Sequence, residues 1–306
     1  MSKYLDPKTD IVFKKIFGNN KKLLKSFLNA VLPLPDDRLI EDLSYLPSEQ
    51  VPLLPALKHT IVDVKCTDTQ QRTFIVEMQI QWVPAFMQRM LVNTSSAYVR
   101  QLNKGEAYAN LSPVYGLALL GHNLIDVDRD PEWFHHYKMT HTKNSNRSLD
   151  DLQIVIVELP KFKPTTIQDK KLTVLWLRFL SEINEKTRQA PTELLAIPEI
   201  KEALDLAEES AFTPGELEAY NTYWDAVSTQ VTLIEGKMAQ AEAVGLAKGE
   251  AMGLAKGEAM GEVKGEELAA CRIAKKLLQN GMSIELVSEI TQLPLSKIKQ
   301  LQLTHE

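Results

Sequence analysis

The stretch DVKCTDTQQRTFIVEMQ, Asp63 to Gln79, sets two carboxylates and an amide in a run otherwise suited to two strands. Side chains alternate faces along a strand, so Ile61, Asp63 and Lys65 share one face, and Ile75, Glu77 and Gln79 share one on the returning run. Pairing the runs about a turn near Gln70 sets Asp63 opposite Glu77, with side chains roughly 5 Å apart. Two negative charges at that distance repel by roughly 3 kcal/mol at an effective dielectric near 20. A hard divalent cation with oxygen ligands relieves the repulsion. A solvated hairpin face, with the acids paired to Lys65 and Arg72, is the bland alternative. The apolar residues Ile61, Val62, Val64, Phe74, Ile75 and Val76 argue instead for strands buried on both faces.

The surrounding pattern supplies elements to position this hairpin. DPKTDIVFKKIFG predicts a short amphipathic helix closing at Gly18, and KKLLKSFLNAVL a second one ending at Pro33. RLIEDLSYL reads as a strand before the hairpin. Pro84 introduces AFMQRMLVNTSSAYVRQLNKG, a helix of about five turns stopped by Gly105. PVYGLALLG reads as a buried strand, and HHYKMTHT and LQIVIVELP as two more strands joined by the polar loop KNSNRSLDD. The class is mixed α/β.

After about residue 165 the chain turns helical, and Thr213, Pro214 and Glu216 form a capping-box start. Glycines recur every four residues at 245, 249, 253, 257, 261 and 265, each costing a helix about 1 kcal/mol relative to alanine. That segment reads as a semi-flexible linker, helical when paired with another copy. Beyond it, one helix ends at Gly281, Ser283 caps a second with Ile284, Val287 and Ile290 inward, and a third runs through Ile298 and Leu301. Helix, tight turn, helix is the outline of a helix-turn-helix.

Composition sets limits. The chain has 306 residues, 44% hydrophobic and 25% charged, with a formal charge of −5. No run approaches the roughly 20 apolar residues of a membrane span, and MSKYLDPKTD has no secretory apolar stretch, so a cytoplasmic protein is expected. Cys66 and Cys271 make neither a disulfide framework nor zinc spacing. Two acid-free basic runs, Lys14 to Lys25 and Lys138 to Arg147, stand out against the net negative charge. DVDRDP at 126 to 131 lacks the glycine and glutamate of a calcium loop and reads as a turn. His135, His136 and His141 lack metal-ligand spacing, and no phosphate-cradling glycine loop occurs.

Asp63, then Glu77-x-Gln79, in the order helix, strand, hairpin, helix, strand, resembles the PD-(D/E)XK nuclease core. With YLDPKTDIVFKKIFG, FMQRMLVNTSSAYVRQLNKGEAY and AKKLLQNGMSIELVSEITQL, the hairpin resembles the bacterial recombination-promoting nuclease and putative transposase family across nearly the whole chain. Gln79 stands where that superfamily usually has lysine. The resemblance implies a restriction-endonuclease-like α/β core with a helical C-terminal extension, and a metal-dependent DNA endonuclease acting in recombination or on mobile elements. Asp63 and Glu77 would hold Mg²⁺, with the carbonyl of Met78 as a third ligand. Gln79 would orient water or a phosphate oxygen, and Lys65 could replace the missing charge. Asp10 is an accessory acid by the same resemblance, and Gln88 and Arg89 could reach phosphate. Lys14, Lys15, Lys275, Lys276 and Lys297, with Lys299 beside them, are the candidate contacts to double-stranded DNA.

The expected organisation is a nuclease domain over 1–185, a helical extension over 186–240, a glycine-repeat linker over 241–266, and a helix-turn-helix-like module over 267–306. The C-terminal region is also where copies of the chain could associate. Two rival functions are a DNA-binding protein with a decayed site, motivated by Gln79, and a strand-joining transposase, which would need a third acid that nothing singles out.

Overall fold

The first hairpin lies within a six-stranded mixed sheet in the computed structural model, which describes residues 3–50, 60–81, 83, 85–103, 105–164 and 171–303. The strands are β1 (Leu43–Tyr45), β2 (Glu49–Gln50), β3 (Thr60–Ile61), β4 (Val64–Asp68), β5 (Thr73–Gln79), β6 (Val114–Leu120), β7 (Phe134–His141) and β8 (Asn144–Glu158). The sheet runs β1-β4-β5-β6-β8-β7, and β2 pairs separately with β3. β5, β6 and β8 are mutually parallel and the remaining pairs antiparallel. All seven residues of β6 are buried, as a central parallel strand covered on both faces requires.

Parallel strands need a crossover. Helix α3 (Phe86–Val99) lies between β5 and β6 in the chain, and Gly116 of β6 lets it approach closely. A Cβ at Gly116 would stand 2.6 Å from Thr94 Cγ2 and 3.0 Å from Met90 Cε. The helix is shorter than the five turns expected, and Gly105 lies beyond its end. Just past its end the Gln101 side chain ties the chain to the approach to β6, donating to the Ser112 carbonyl at 2.9 Å and accepting the Ser112 N–H at 2.7 Å. Pro84, expected to introduce α3, lies outside the described residues.

Helix α1 (Asp10–Phe13) passes directly into a π-helical turn, Lys14–Gly18, and α2 (Lys21–Val31) follows. Their apolar sides join α4 (Leu172–Glu182) in an aromatic cluster of Phe13, Phe17, Phe27, Trp176 and Phe179, with centroid separations of 4.8 to 5.8 Å. α5 (Thr192–Leu195) and α6 (Pro198–Ala207) complete this side, where Ile200, Ala203, Leu204 and Ala207 are buried. Helix α7 (Pro214–Gln279) opens on the expected capping box, in which Glu216 accepts from both the backbone and hydroxyl of Thr213.

One prediction fails in β8. Most of KNSNRSLDD, read as a loop, is strand, and only Thr142 and Lys143 turn the chain. These polar residues pair with β7 as an exposed ribbon, where both faces meet water and no apolar alternation is required. DVDRDP forms the turn expected, with Asp128 N–H donating to Asp126 Oδ1 at 2.9 Å.

The chain divides into two compact units, Met1–Val227 and Ser228–Glu306. In the second, the end of α7, α8 (Ile284–Thr291) and α9 (Leu295–Leu303) enclose Ala274, Val287, Leu293 and Ile298. Ser283 caps α8 by accepting from Leu286 N–H. Ile290, expected inward, is 53% exposed, because the left-handed Gln292 ends the helix and turns Leu293 into the core instead. The six repeat glycines, expected in a semi-flexible linker, all lie within α7. No helix among the described residues is long and apolar enough to cross a membrane.

Candidate active site

Val64 pairs with Val76, so the register carried one residue further sets Asp63 across from Glu77. Asp63 sits just outside β4, where the ladder ends, and its Oδ2 accepts the Met78 N–H at 2.6 Å. The carboxylate thus substitutes for a backbone acceptor. Glu77 is buried near the C-terminal end of β5.

Helix α3 brings two further side chains. Arg89 and Asn93 are four residues apart and share a helical face. Asn93 is fully buried and donates to Glu77 Oε1 at 3.0 Å. Arg89 Nη2 donates to Gln79 Oε1 at 2.7 Å and lies 3.7 Å from Glu77 Oε2. Its guanidinium also lies over the Phe86 ring, 5.1 Å from the centroid.

The π turn brings a third group. Lys14 is ion-paired with Asp10 at 2.8 Å. Burial works against its ammonium, but Asp10, Asp63 and Glu77 outweigh that and raise its pKa. A π turn advances the chain differently from the α-helix around it, a feature often found where a side chain must be re-aimed. The cleft beside it, about 350 Å³, is lined by Lys14, Asn19, Tyr45, Ser48, Asp63 and Lys65 among others.

The electrostatics follow from burial. Desolvation, opposed by the Met78 N–H bond and augmented by the charge of Asp10, pushes Asp63 up to about 6. Desolvation and then the charge of Asp63 push Glu77 up to about 8, against the pull of Arg89, Asn93 and Lys14. Burial, and secondarily Arg100, lowers Lys65. Tyr223, on the first turns of α7, is pushed up to about 12 by burial and by Asp10, Asp6 and Asp63.

Among the sequence candidates, Asp63, Glu77, Gln79, Arg89, Lys14 and Asp10 therefore form one electrostatic neighbourhood, with Met78 contributing backbone. Lys65 lines the cleft beside Asp63, but Arg100 is the charged neighbour acting on it. Gln88 is exposed on α3. Lys15 is held elsewhere, on Glu216 at 2.9 Å and over the Phe212 ring. Lys275 and Lys297 line a cleft of about 470 Å³ in the second unit with Lys264 and Arg272. Lys297 is ion-paired with Glu267, and Lys276 is exposed. Sequence reading missed Asn93 and Tyr223. For Asn93 a signal existed, a polar residue one turn after Arg89 on the helix following the hairpin; for Tyr223 there was none.

A model of the PD-(D/E)XK nuclease family transposases matches residues 7–236, which take in the sheet, α3 and every residue of this neighbourhood. The chain belongs to that family. A second model, the C-terminal HTH domain of the Rpn/YhgA-like nuclease family, matches residues 267–303, the end of α7 with α8 and α9. No curated protein and no solved structure matches the chain. Membership makes the chain a nuclease-family protein with a DNA-binding type of C-terminal module.

Among the described residues no cluster of three or more His, Cys, Asp and Glu side chains is arranged to hold a metal. Two facing carboxylates with raised proton affinity still suit a hard cation such as Mg²⁺, which typically binds one or two protein carboxylates and fills its remaining positions with water and substrate phosphate.

Proposed function

We propose that this chain is a divalent-metal-dependent DNA endonuclease, acting in recombination or on mobile elements in the cytoplasm. The observation that carries the reading is the facing pair Asp63 and Glu77, two acids whose burial and mutual repulsion favour a cation or protons between them. Asp63 and Glu77 would hold the cation, with the Met78 carbonyl as a third oxygen. Bound there, the cation would polarise the scissile phosphate and lower the pKa of a bound water.

The chain's own groups do the rest. Met78 N–H fixes the Asp63 carboxylate and leaves Oδ1 for the cation. Asn93 orients Glu77 from the other side. Arginine only donates, so its bond to Gln79 Oε1 turns the Gln79 amide N–H outward, suited to a phosphate oxygen and unsuited to taking a proton from water. The positive charge that lysine would supply at position 79 comes from Arg89 and Lys14. Both present positive charge that stabilises charge developing on phosphate.

On this reading 1–185 is the nuclease domain, 186–240 an extension, 241–266 a spacer in helical form and 267–306 the DNA-binding module. Incubating supercoiled plasmid with the purified full chain and Mg²⁺, beside an EDTA control, tests it. Nicked or linear product only with the cation is expected. Binding without cutting under any divalent cation would leave a DNA-binding protein in its place.

A further inference from the structure

The hairpin of β7 and β8 runs past the sheet. Leu152 is the residue of β8 that pairs with Val114, where β6 begins, so residues 144–151 pair only with β7. Every residue from Lys138 to Arg147 on this ribbon is solvent-exposed. Here lies the second acid-free basic run, which the nuclease site does not use.

We propose that this free ribbon is a second contact to duplex DNA, gripping its phosphate backbone through Lys143 and Arg147; the proposal rests on the nuclease reading. Charge complementarity favours this occupant. Lys138 is neutralised by Asp150 at 3.1 Å, but Lys143 and Arg147 make no ion pair among the described residues. His141 and Thr140 beside them add hydrogen-bonding groups, and Arg147 lines a shallow cleft of about 400 Å³ with them. The shape fits too, because a two-stranded ribbon is narrow enough for the major groove, about 12 Å wide. Register shifts between Lys138 and Met139 and between Thr140 and His141 bend the ribbon and strengthen its twist.

The position predicts where the contact falls. Glu77 is in register with Ala118 and Ile156, at the opposite end of the parallel strands from the ribbon. From Ile156 back to Asn144 is a strand length of roughly 40 Å at about 3.3 Å per residue. A duplex lying along the strands would therefore meet the tip about 40 Å from the level of Glu77, a little more than one helical turn of ~34 Å. A competing occupant is a second copy of the ribbon, since Met139 and its partner Leu149 are 52% and 61% exposed and β7 is an edge strand.

The test compares the full chain with K143A/R147A and with the charge-conserving K143R/R147K. Binding to a 40-base-pair duplex is titrated in EDTA at several salt concentrations, with size-exclusion chromatography and melting run alongside. Removing two phosphate-binding charges should weaken binding roughly tenfold and lower the salt slope by about 1.8, with K143R/R147K like the parent and elution and melting unchanged. Unchanged affinity and slope in K143A/R147A would overturn the proposal, as would a shift in elution volume with DNA binding intact, which would make the ribbon a contact between copies. Cleavage by the parent in Mg²⁺ is scored separately. A parent that binds through the ribbon without cutting would overturn only the nuclease reading, and one that does not bind duplex DNA would overturn both.

Discussion

Arg89 reaches from α3 to Gln79 on β5, donating at 2.7 Å to its side-chain oxygen. On the nuclease reading, charge and amide together do the work of one ammonium, and this makes substitutions at the two positions interdependent. Gln79→Lys alone would set two cations side by side and should lower cleavage. Gln79→Lys combined with Arg89→Ala should recover much of it, whereas Arg89→Ala alone should cost on the order of 10²-fold, as loss of one electrostatic donor commonly does. Plasmid-nicking rates for the three variants measure the coupling; additive effects would show that the pair does not act as a unit.

The carboxylate pair ties stability to pH. In metal-free protein the folded state holds protons on Asp63 to about 6 and on Glu77 to about 8, well above the roughly 4 of an unfolded chain. Between those values Asp63 and Glu77 bind more protons in the folded state, so their contribution to stability is fully present below about 4 and is lost as pH rises through about 8, by several kcal/mol. Thermal melts in EDTA should show this decline. Glu77→Gln should flatten it and raise stability at pH 8 while abolishing cleavage, and added Mg²⁺ should restore the parent's stability but not change the variant's.

Gly116 fixes how closely α3 approaches β6. A methyl group there meets Thr94 and Met90 and displaces the helix that carries Arg89 and Asn93. Gly116→Ala should cost about 1–3 kcal/mol, in the range of overpacked cores. Cleavage should fall further than the unfolded fraction accounts for. Denaturant melts beside cleavage rates on the folded fraction separate the two.

Truncation after Ala243 removes α8, α9 and the end of α7 while leaving every proposed metal ligand in place. The shortened chain should still cut at high concentration but bind DNA less tightly and with a smaller salt slope, by roughly one log unit for each phosphate no longer neutralised. Gel-shift titrations at two salt concentrations check this, and unchanged affinity and slope would deny the C-terminal module a role in binding.

Each repeat glycine in α7 carries the backbone cost of a residue without Cβ, and nothing within 4 Å would meet an added methyl. Gly249→Ala, Gly253→Ala and Gly257→Ala together should therefore stabilise the helix by about 3 kcal/mol. Circular dichroism on heating and limited proteolysis would register the gain.

The sequence alone determined the hairpin, its register and the family. The turn near Gln70 and the apolar runs on either side of it leave one pairing that buries the strands, and that pairing sets Asp63 against Glu77. The capping box at Thr213 and the cap at Ser283 were legible for the same reason: each depends on groups three residues apart. What lay beyond sequence reading depends on contacts between distant segments. That Arg89 and Asn93 meet the hairpin follows from the crossover of α3 and the space Gly116 leaves for it. That Lys14 aims toward the same acids depends on a π turn, and Tyr223 reaches their neighbourhood from more than a hundred residues away. The polar ribbon of β8 was invisible because its strands pair only with each other in water, so no buried face imposed a pattern on their residues.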